Sequence, residues 1–197
     1  MIELNGCYKK YGNKIIFENI NYTFYNNIYW LKGDNGIGKS VFLRCISNIE
    51  EFSGGIYKNN SKKILYIPEF SLNEDWLTLE ENIRLFMYYH NISISDNIFK
   101  DILKKLNIND LSAFPYKASM GTNLKTIFSL IFIPNIWNLI VIDETLSHID
   151  TKTQNIFFNE LKNRMLEGST IIFTYHGTLN NHKFIELTLK KEGIFCG

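Results

Sequence analysis

Cysteine and proline are both scarce, three of each in 197 residues. Cys7, Cys45 and Cys196 are odd in number, far apart and without metal-ligand spacing. That argues against a disulfide framework or a zinc site and fits a reducing, cytosolic setting. Pro68, Pro115 and Pro134 form no linker, and there is no internal repeat or low-complexity tract, so the chain reads as one compact unit. Long hydrophobic runs are missing too: no uninterrupted apolar stretch approaches the roughly 18 residues a spanning helix needs. The opening MIELNGCYKKYGNKIIF lacks the continuous apolar segment of a secretory signal. Any membrane role therefore has to come through a partner. Nor is there an excess of one charge: 21 Lys and Arg against 20 Asp and Glu leave a net +1, which gives no case for nucleic acid or an anionic membrane as the main partner. With 45% hydrophobic and 21% charged residues the chain can bury a substantial core, which excludes disordered, collagen-like and coiled-coil classes.

Strand patterns dominate the first third. Ile15 to Phe17, then Ile20, Tyr22 and Phe24 in alternation, read as strand, and Ile28-Tyr29-Trp30-Leu31 reads as a strand buried on both faces ahead of a glycine-rich turn. From Gly38 to about Ile49, Val41, Phe42, Cys45, Ile46 and Ile49 recur at three and four, as on the buried face of a helix. Ile56-Tyr57 and Ile64 to Ile67 predict two further strands, the second closed by Pro68. Residues 78–106 read as helical, with Leu79, Ile83, Phe86 and Met87 on one face and Ile98, Ile102, Leu103 and Leu106 on another. Another helix is expected from Ser119 to Ile133. Leu139 to Ile142 has the continuous apolar run of a central parallel strand. Thr151 with Gln154 has the capping-box spacing for a helix ending near Gly168, after which Thr170 to Phe173 is again a buried strand. Phe184 to Leu189 and Gly193 to Phe195 predict a closing hairpin. Strands alternating with helices give an α/β core preceded by a more antiparallel part.

Three motifs carry chemistry. GDNGIGKS at 33–40 matches G-x-x-x-x-G-K-[ST] between a predicted strand and a predicted helix. Gly33, Gly36 and Gly38, with Asn35 between them, let the backbone curl so that its N–H groups face phosphate oxygens, and the helix start adds a favourable dipole. Lys39 supplies a point charge for the β- and γ-phosphates, Ser40 offers a hydroxyl to Mg²⁺, and Val41 keeps a backbone N–H for the cradle. LIVIDE at 139–144 delivers Asp143 and Glu144 at the strand end where α/β proteins bind ligands. Asp143 is placed to hold Mg²⁺ and Glu144 to polarise an attacking water. His176, closing STIIFTYH, emerges at the same edge and can contact the γ-phosphate; the plainer alternative is a strand-end residue. His90, His148 and His182 read as structural or solvated.

In this order and spacing the chain resembles the ATP-binding subunits of ABC transporters, from about Ile2 to Phe195. The resemblance rests on Tyr11 before the second strand, GDNGIGKS, YIPE at 66–69, LTLEENI at 77–83, KASMGTNLK at 117–125, LIVIDE, SHID at 147–150 and His176. It implies a P-loop NTPase core of the ABC-ATPase type, a single domain over 1–197 with a helical subdomain inserted at about 70–134. It implies that Tyr11 stacks on adenine, that Glu69 stands at the Q-loop position near Mg²⁺, and that Ser119 and Gly121 match the second and fourth positions of the LSGGQ signature. In the family that signature grips the γ-phosphate held by a second subunit, so two chains sandwich two ATP molecules. Asp150 matches the D-loop aspartate across that interface and His176 the switch histidine.

Four positions depart from the family pattern: Met120 stands where a glycine is usual, Glu69 replaces glutamine, Thr145 follows the glutamate where proline is usual, and Val41 often is threonine. The function implied is ATP binding and hydrolysis, with ATP and Mg²⁺ as cofactors, powering a separately encoded transmembrane permease. The LTLEENI-like segment and the lack of a C-terminal regulatory extension look more like exporters, of a peptide, antimicrobial or similar small substrate. The ATPase subunits would pair as a homodimer or heterodimer, with no nucleic-acid partner. They would sit at the inner, cytoplasmic face of the cell membrane and touch it only through the permease. The alternative is a nucleotide-binding regulatory subunit whose degenerate signature leaves weak or no ATPase activity. Phe70, Trp76, Phe86, Tyr88 and Tyr89 lie where family members receive the permease's coupling helix, or else fill the subdomain core.

Overall fold

The computed structural model describes residues 1–70, 72–177, 179 and 184–197; His182 and the side chain of His148 lie outside that description. In chain order the elements are β1 (Ile2–Tyr11), β2 (Lys14–Phe24), β3 (Ile28–Lys32), α1 (Lys39–Ile46), β4 (Gly54–Asn59), β5 (Ile64–Ile67), α2 (Leu79–Tyr89), α3 (Asp96–Leu106), α4 (Met120–Phe128), β6 (Leu139–Ile142), α5 (Thr151–Leu166), β7 (Thr170–Phe173), β8 (Ile185–Lys190) and β9 (Gly193–Cys196). Short 3-10 turns lie at Pro115–Lys117, Ser129–Phe132 and Thr145–His148. Among the described residues, β2, β1 and β4 form an antiparallel sheet in that order. A second sheet runs β5-β6-β7-β3-β8-β9, parallel from β5 through β8, with β9 returning antiparallel on β8.

Successive strand side chains point to opposite faces, so each central strand feeds two cores. Ile28, Trp30, Ile140, Ile142, Ile171 and Phe173 pack with the helices α2 to α5. Tyr29, Leu31, Leu139, Val141, Ile172, Leu187 and Leu189 pack with α1 and the antiparallel sheet. Each fully buried large side chain of this kind contributes about 1.5–3 kcal/mol of transfer free energy. Because β6, β7 and β3 are parallel neighbours, their C-terminal ends open on one edge, and whatever follows each strand is brought together there. Among the described residues no helix is long and apolar enough to cross a membrane.

The α/β architecture with its antiparallel leading sheet is as the sequence predicts, and several local boundaries differ. α1 stops at Ile46 because Asn48 takes a left-handed φ of 59°, with Asn48 N–H donating to Cys45 O at 3.2 Å and Ile49 N–H to Arg44 O at 3.0 Å. Ile49, expected on the buried face, is therefore turned out and 55% exposed. Residues 78–106 are two helices, separated by a left-handed Asn91 and restarted by the Ser95 cap. On the second, Phe99 takes the buried place expected of Ile98, which is 39% exposed. The helix expected to run to Ile133 gives way at Ser129 to a 3-10 turn. The cap of α5 is Asp150, whose carboxylate accepts from Thr153 N–H at 2.9 Å, while Gln154 donates to Leu146 O and Ile149 O. The capping box lies instead at Thr78 and Glu81, at the start of α2.

Candidate functional site

The loop after β3 is built on glycine for reasons the geometry makes explicit. Gly33 has φ 148°, and a Cβ there would sit 2.7 Å from Leu189 O; at Gly38, φ 107°, it would meet Ile16 Cγ2 at 2.6 Å. Gly36, φ 78°, has open space before it. The loop closes into α1, whose first turn carries no acidic side chain and no side-chain cap. The N–H groups of that first turn are left for an outside acceptor, and the helix dipole favours an anion there. Lys39 folds back, nearly buried, and its Nζ donates to Gly33 O at 3.0 Å and Asp34 O at 3.2 Å.

The neighbouring strand ends complete the setting. Glu144 Oε1 lies 3.7 Å from Lys39 Nζ and 2.9 Å from His176 Nε2. The carboxylate thus stands between a cation from the β3 loop and an imidazole from beyond β7. Asp143 is withdrawn behind it, 3% exposed, with Oδ1 accepting from Thr174 Oγ1 at 3.0 Å and Oδ2 from Tyr66 OH at 3.2 Å. Glu144 adopts a left-handed φ of 54°, and its N–H donates to Thr174 Oγ1 at 2.9 Å. The Thr145 hydroxyl reaches both Pro68 O and Asp143 O at 3.0 Å, tying the segment after β5 to the end of β6.

A cleft of about 480 Å³ opens over this constellation, lined by Asn35, Gly36, Gly38, Lys39, Ser40, Val41, Arg44, Glu144 and His176. Gly33 and Asp143 are not on its lining; Gly33 meets it through the Lys39 hydrogen bond and Asp143 through its neighbour Glu144. Tyr11, Glu69, Ser119 and Gly121 are not on its lining. Tyr11 is 46% exposed at the end of β1, its hydroxyl donates to Glu50, and the Lys9 ammonium lies 5.1 Å from the centre of its ring. Glu50 also takes Arg44 Nε at 3.2 Å, which links Tyr11 to the cleft wall. The Tyr11 hydroxyl, with Lys9 and Arg44 beside it, holds the Glu50 carboxyl down at about 2. Glu69 is half-buried just past β5. Ser119 caps α4, accepting from Thr122 N–H at 3.1 Å, with Gly121 in the first turn and Met120 exposed. Asp150, its carboxyl lowered by the Thr153 hydroxyl and N–H, starts α5. Phe86 belongs to the core, whereas Phe70, Trp76, Tyr88 and Tyr89 are 67–75% exposed, the last beside an apolar groove of about 270 Å³ that Leu72 and Phe86 also line.

The sequence reading misses Arg44, Tyr66 and Thr174. Arg44 lies one helical turn after Ser40, which puts both on one face, Thr174 lies two residues before His176, and Tyr66 opens the YIPE segment, where only Glu69 is given a role.

A family model described as ABC transporter matches residues 17–147. A zinc import ATP-binding protein of Rickettsia conorii is 29% identical over 161 residues, 80% of this chain and 68% of its own length. A cytochrome c biogenesis ATP-binding export protein of Histophilus somni is 23% identical over 199 residues, 93% of this chain and 90% of its own. In fold, the chain superposes with a TM-score of 0.81 on a dimeric ATP-binding cassette in a post-hydrolysis state bound to ADP and Pi, at 20% identity, covering 98% of this chain and 96% of that one. The phosphate-type loop, the paired carboxylates at the adjoining strand end and the family match together make the chain a member of the ABC transporter family, a nucleotide-binding and ATP-hydrolysing cassette of the transporter-subunit kind.

Proposed function

We propose that this cassette is the motor of an exporter, driving a separately encoded transmembrane permease by closing two ATPase subunits around two ATP molecules and reopening them after hydrolysis. The observation that carries the reading is Glu144 Oε1 standing between Lys39 Nζ and His176 Nε2 at the mouth of the cleft. Lys39 and the N–H groups of Gly36, Gly38, Ser40 and Val41 cradle the phosphates; Glu144 orients and deprotonates the attacking water; His176 keeps Glu144 aimed and contacts the γ-phosphate. The donor set fits Mg²⁺, a hard cation: the Ser40 hydroxyl is on the cleft lining, and Asp143 keeps lone pairs beyond the one hydrogen bond each oxygen accepts, with Glu69 on the adjoining segment. Bound there, Mg²⁺ neutralises charge on the β- and γ-phosphates. Tyr11 is the adenine platform, and Ser119 and Gly121 serve the nucleotide of the opposite subunit.

The exposed Phe70, Trp76, Tyr88 and Tyr89 support a permease docked on residues 70–134 acting as the helical subdomain. Such a partner puts the cassette on the cytoplasmic face of the membrane. The export direction draws on the cytochrome c biogenesis relative, aligned along nearly all of both chains, and the cargo class of a peptide or similar small molecule on the LTLEENI-like segment. The test is Mg²⁺-ATP hydrolysis by purified chain, alone and with its candidate permease in liposomes. Turnover abolished by Glu144→Gln, and stimulation by the permease that Trp76→Ala with Tyr88→Ala removes while basal turnover persists, support the reading. ATP binding without Glu144-dependent turnover in the presence of the permease overturns it.

A further inference from the structure

Thr174 is fully buried immediately after β7, where its own N–H continues the ladder to Ile142 O at 2.9 Å. Its hydroxyl has a defined direction. The Glu144 N–H can only donate, so Thr174 Oγ1 accepts from it, and the hydroxyl proton is free to go to Asp143 Oδ1. One oxygen thus joins the side chain of one carboxylate residue to the backbone of the next. Both ends of that joint need holding. Asp143 is a buried carboxylate held by the hydroxyls of Tyr66 and Thr174, and Glu144 is a non-glycine residue at a left-handed φ, which persists only where its surroundings over-determine it.

Building on the hydrolytic role given above to Asp143 and Glu144, we propose that Thr174 is a positioning residue for phosphoryl transfer: its single hydroxyl locks the Asp143 rotamer and the Glu144 backbone as one rigid unit. The metal-facing and water-facing carboxylates then keep a fixed separation, and β7 clamps the end of β6 through Thr174 on the inside and His176 on the outside. Phosphoryl transfer gains from such fixed geometry because catalysis there is mostly positioning.

Three variants test this. Thr174→Val keeps the shape and loses both hydrogen bonds, Thr174→Ser keeps the hydroxyl, and Glu144→Gln reports on the hydrolytic reading itself. Loss of an outer-shell partner of this kind predicts that Thr174→Val lowers kcat about tenfold or more with KM for ATP within about twofold. It also raises about tenfold the Mg²⁺ concentration that half-saturates Mg²⁺-dependent binding of a fluorescent, non-hydrolysable ATP analogue, and Thr174→Ser returns both to within about threefold. Wild-type kcat and Mg²⁺ dependence in Thr174→Val overturn the proposal, as does equal impairment in the valine and serine variants, which would mark a packing role. Turnover that survives Glu144→Gln would bring down the reading of the site, while the Mg²⁺-binding comparison still decides the role of Thr174. Should Thr174→Val not fold, Thr174→Cys replaces it, with an intermediate Mg²⁺ requirement expected and a wild-type one contradictory.

Discussion

Glu50 gathers the Tyr11 hydroxyl, the Lys9 ammonium at 2.9 Å and Arg44 Nε at 3.2 Å on one carboxylate. Those donors favour the ionised form, the Tyr11 hydrogen bond most strongly, so its folded pKa lies at about 2 against an ordinary 4.5. A pKa lowered by folding contributes stability that is complete above the ordinary carboxylate value and is lost as pH falls from there toward the folded value. Glu50→Gln should therefore lower Tm at neutral pH, with the gap to wild type closing as pH drops from about 4.5 toward 2. Thermal unfolding followed across that range checks it; a gap constant with pH would mean that Glu50 acts through packing alone. The same cluster decides how Tyr11 meets the cleft, since Arg44 is both its indirect neighbour and part of the cleft lining.

At the scale of elements, the turn that follows β6 depends on hydroxyls. Thr145 sits where proline is usual in the family, and a proline has no hydroxyl with which to reach Pro68 O. Thr145→Val leaves the half-buried Pro68 and buried Asp143 carbonyls short of that donor and should destabilise the chain by about 1–2 kcal/mol, read by urea unfolding. An unchanged midpoint would remove the link between the Glu69 segment and Glu144 from the account. The phosphate loop and the carboxylate pair are legible in the sequence because residue type and spacing leave one arrangement open: glycines where no Cβ fits, a lysine and serine opening a helix, two acids ending an apolar strand. Elsewhere neighbouring residues compete for the same place. Asp150 and Thr151 are both good caps, and the aspartate wins by bonding Thr153. Ile98 and Phe99 both satisfy a three-and-four spacing, and packing, not pattern, buries the phenylalanine. A left-handed Asn48 ends α1 one turn before the apolar pattern does. Thr174 carries no pattern beyond its spacing from His176, since a threonine at a strand end is ordinary until its two partners are seen.

Across the whole molecule, the order β6-β7-β3 brings Asp143 and Glu144, Thr174 and His176, and the glycine loop to one open edge of a sheet packed on both faces. Ser119 and Gly121, at the start of α4, are not on the lining of that cleft, so their proposed contact with nucleotide calls for a cleft other than this copy's own. Under the proposed function a second ATPase subunit supplies that cleft, and a second copy of this chain is the form to test. The most direct test is the solution mass of the Glu144→Gln chain with saturating Mg²⁺-ATP, by light scattering, because blocking hydrolysis lets the ATP-bound closed state accumulate. The account predicts that the mass doubles with ATP, returns to that of one chain when ATP is removed, and stays there when Ser119→Arg is added. A chain that binds ATP yet keeps the mass of a single copy would contradict it.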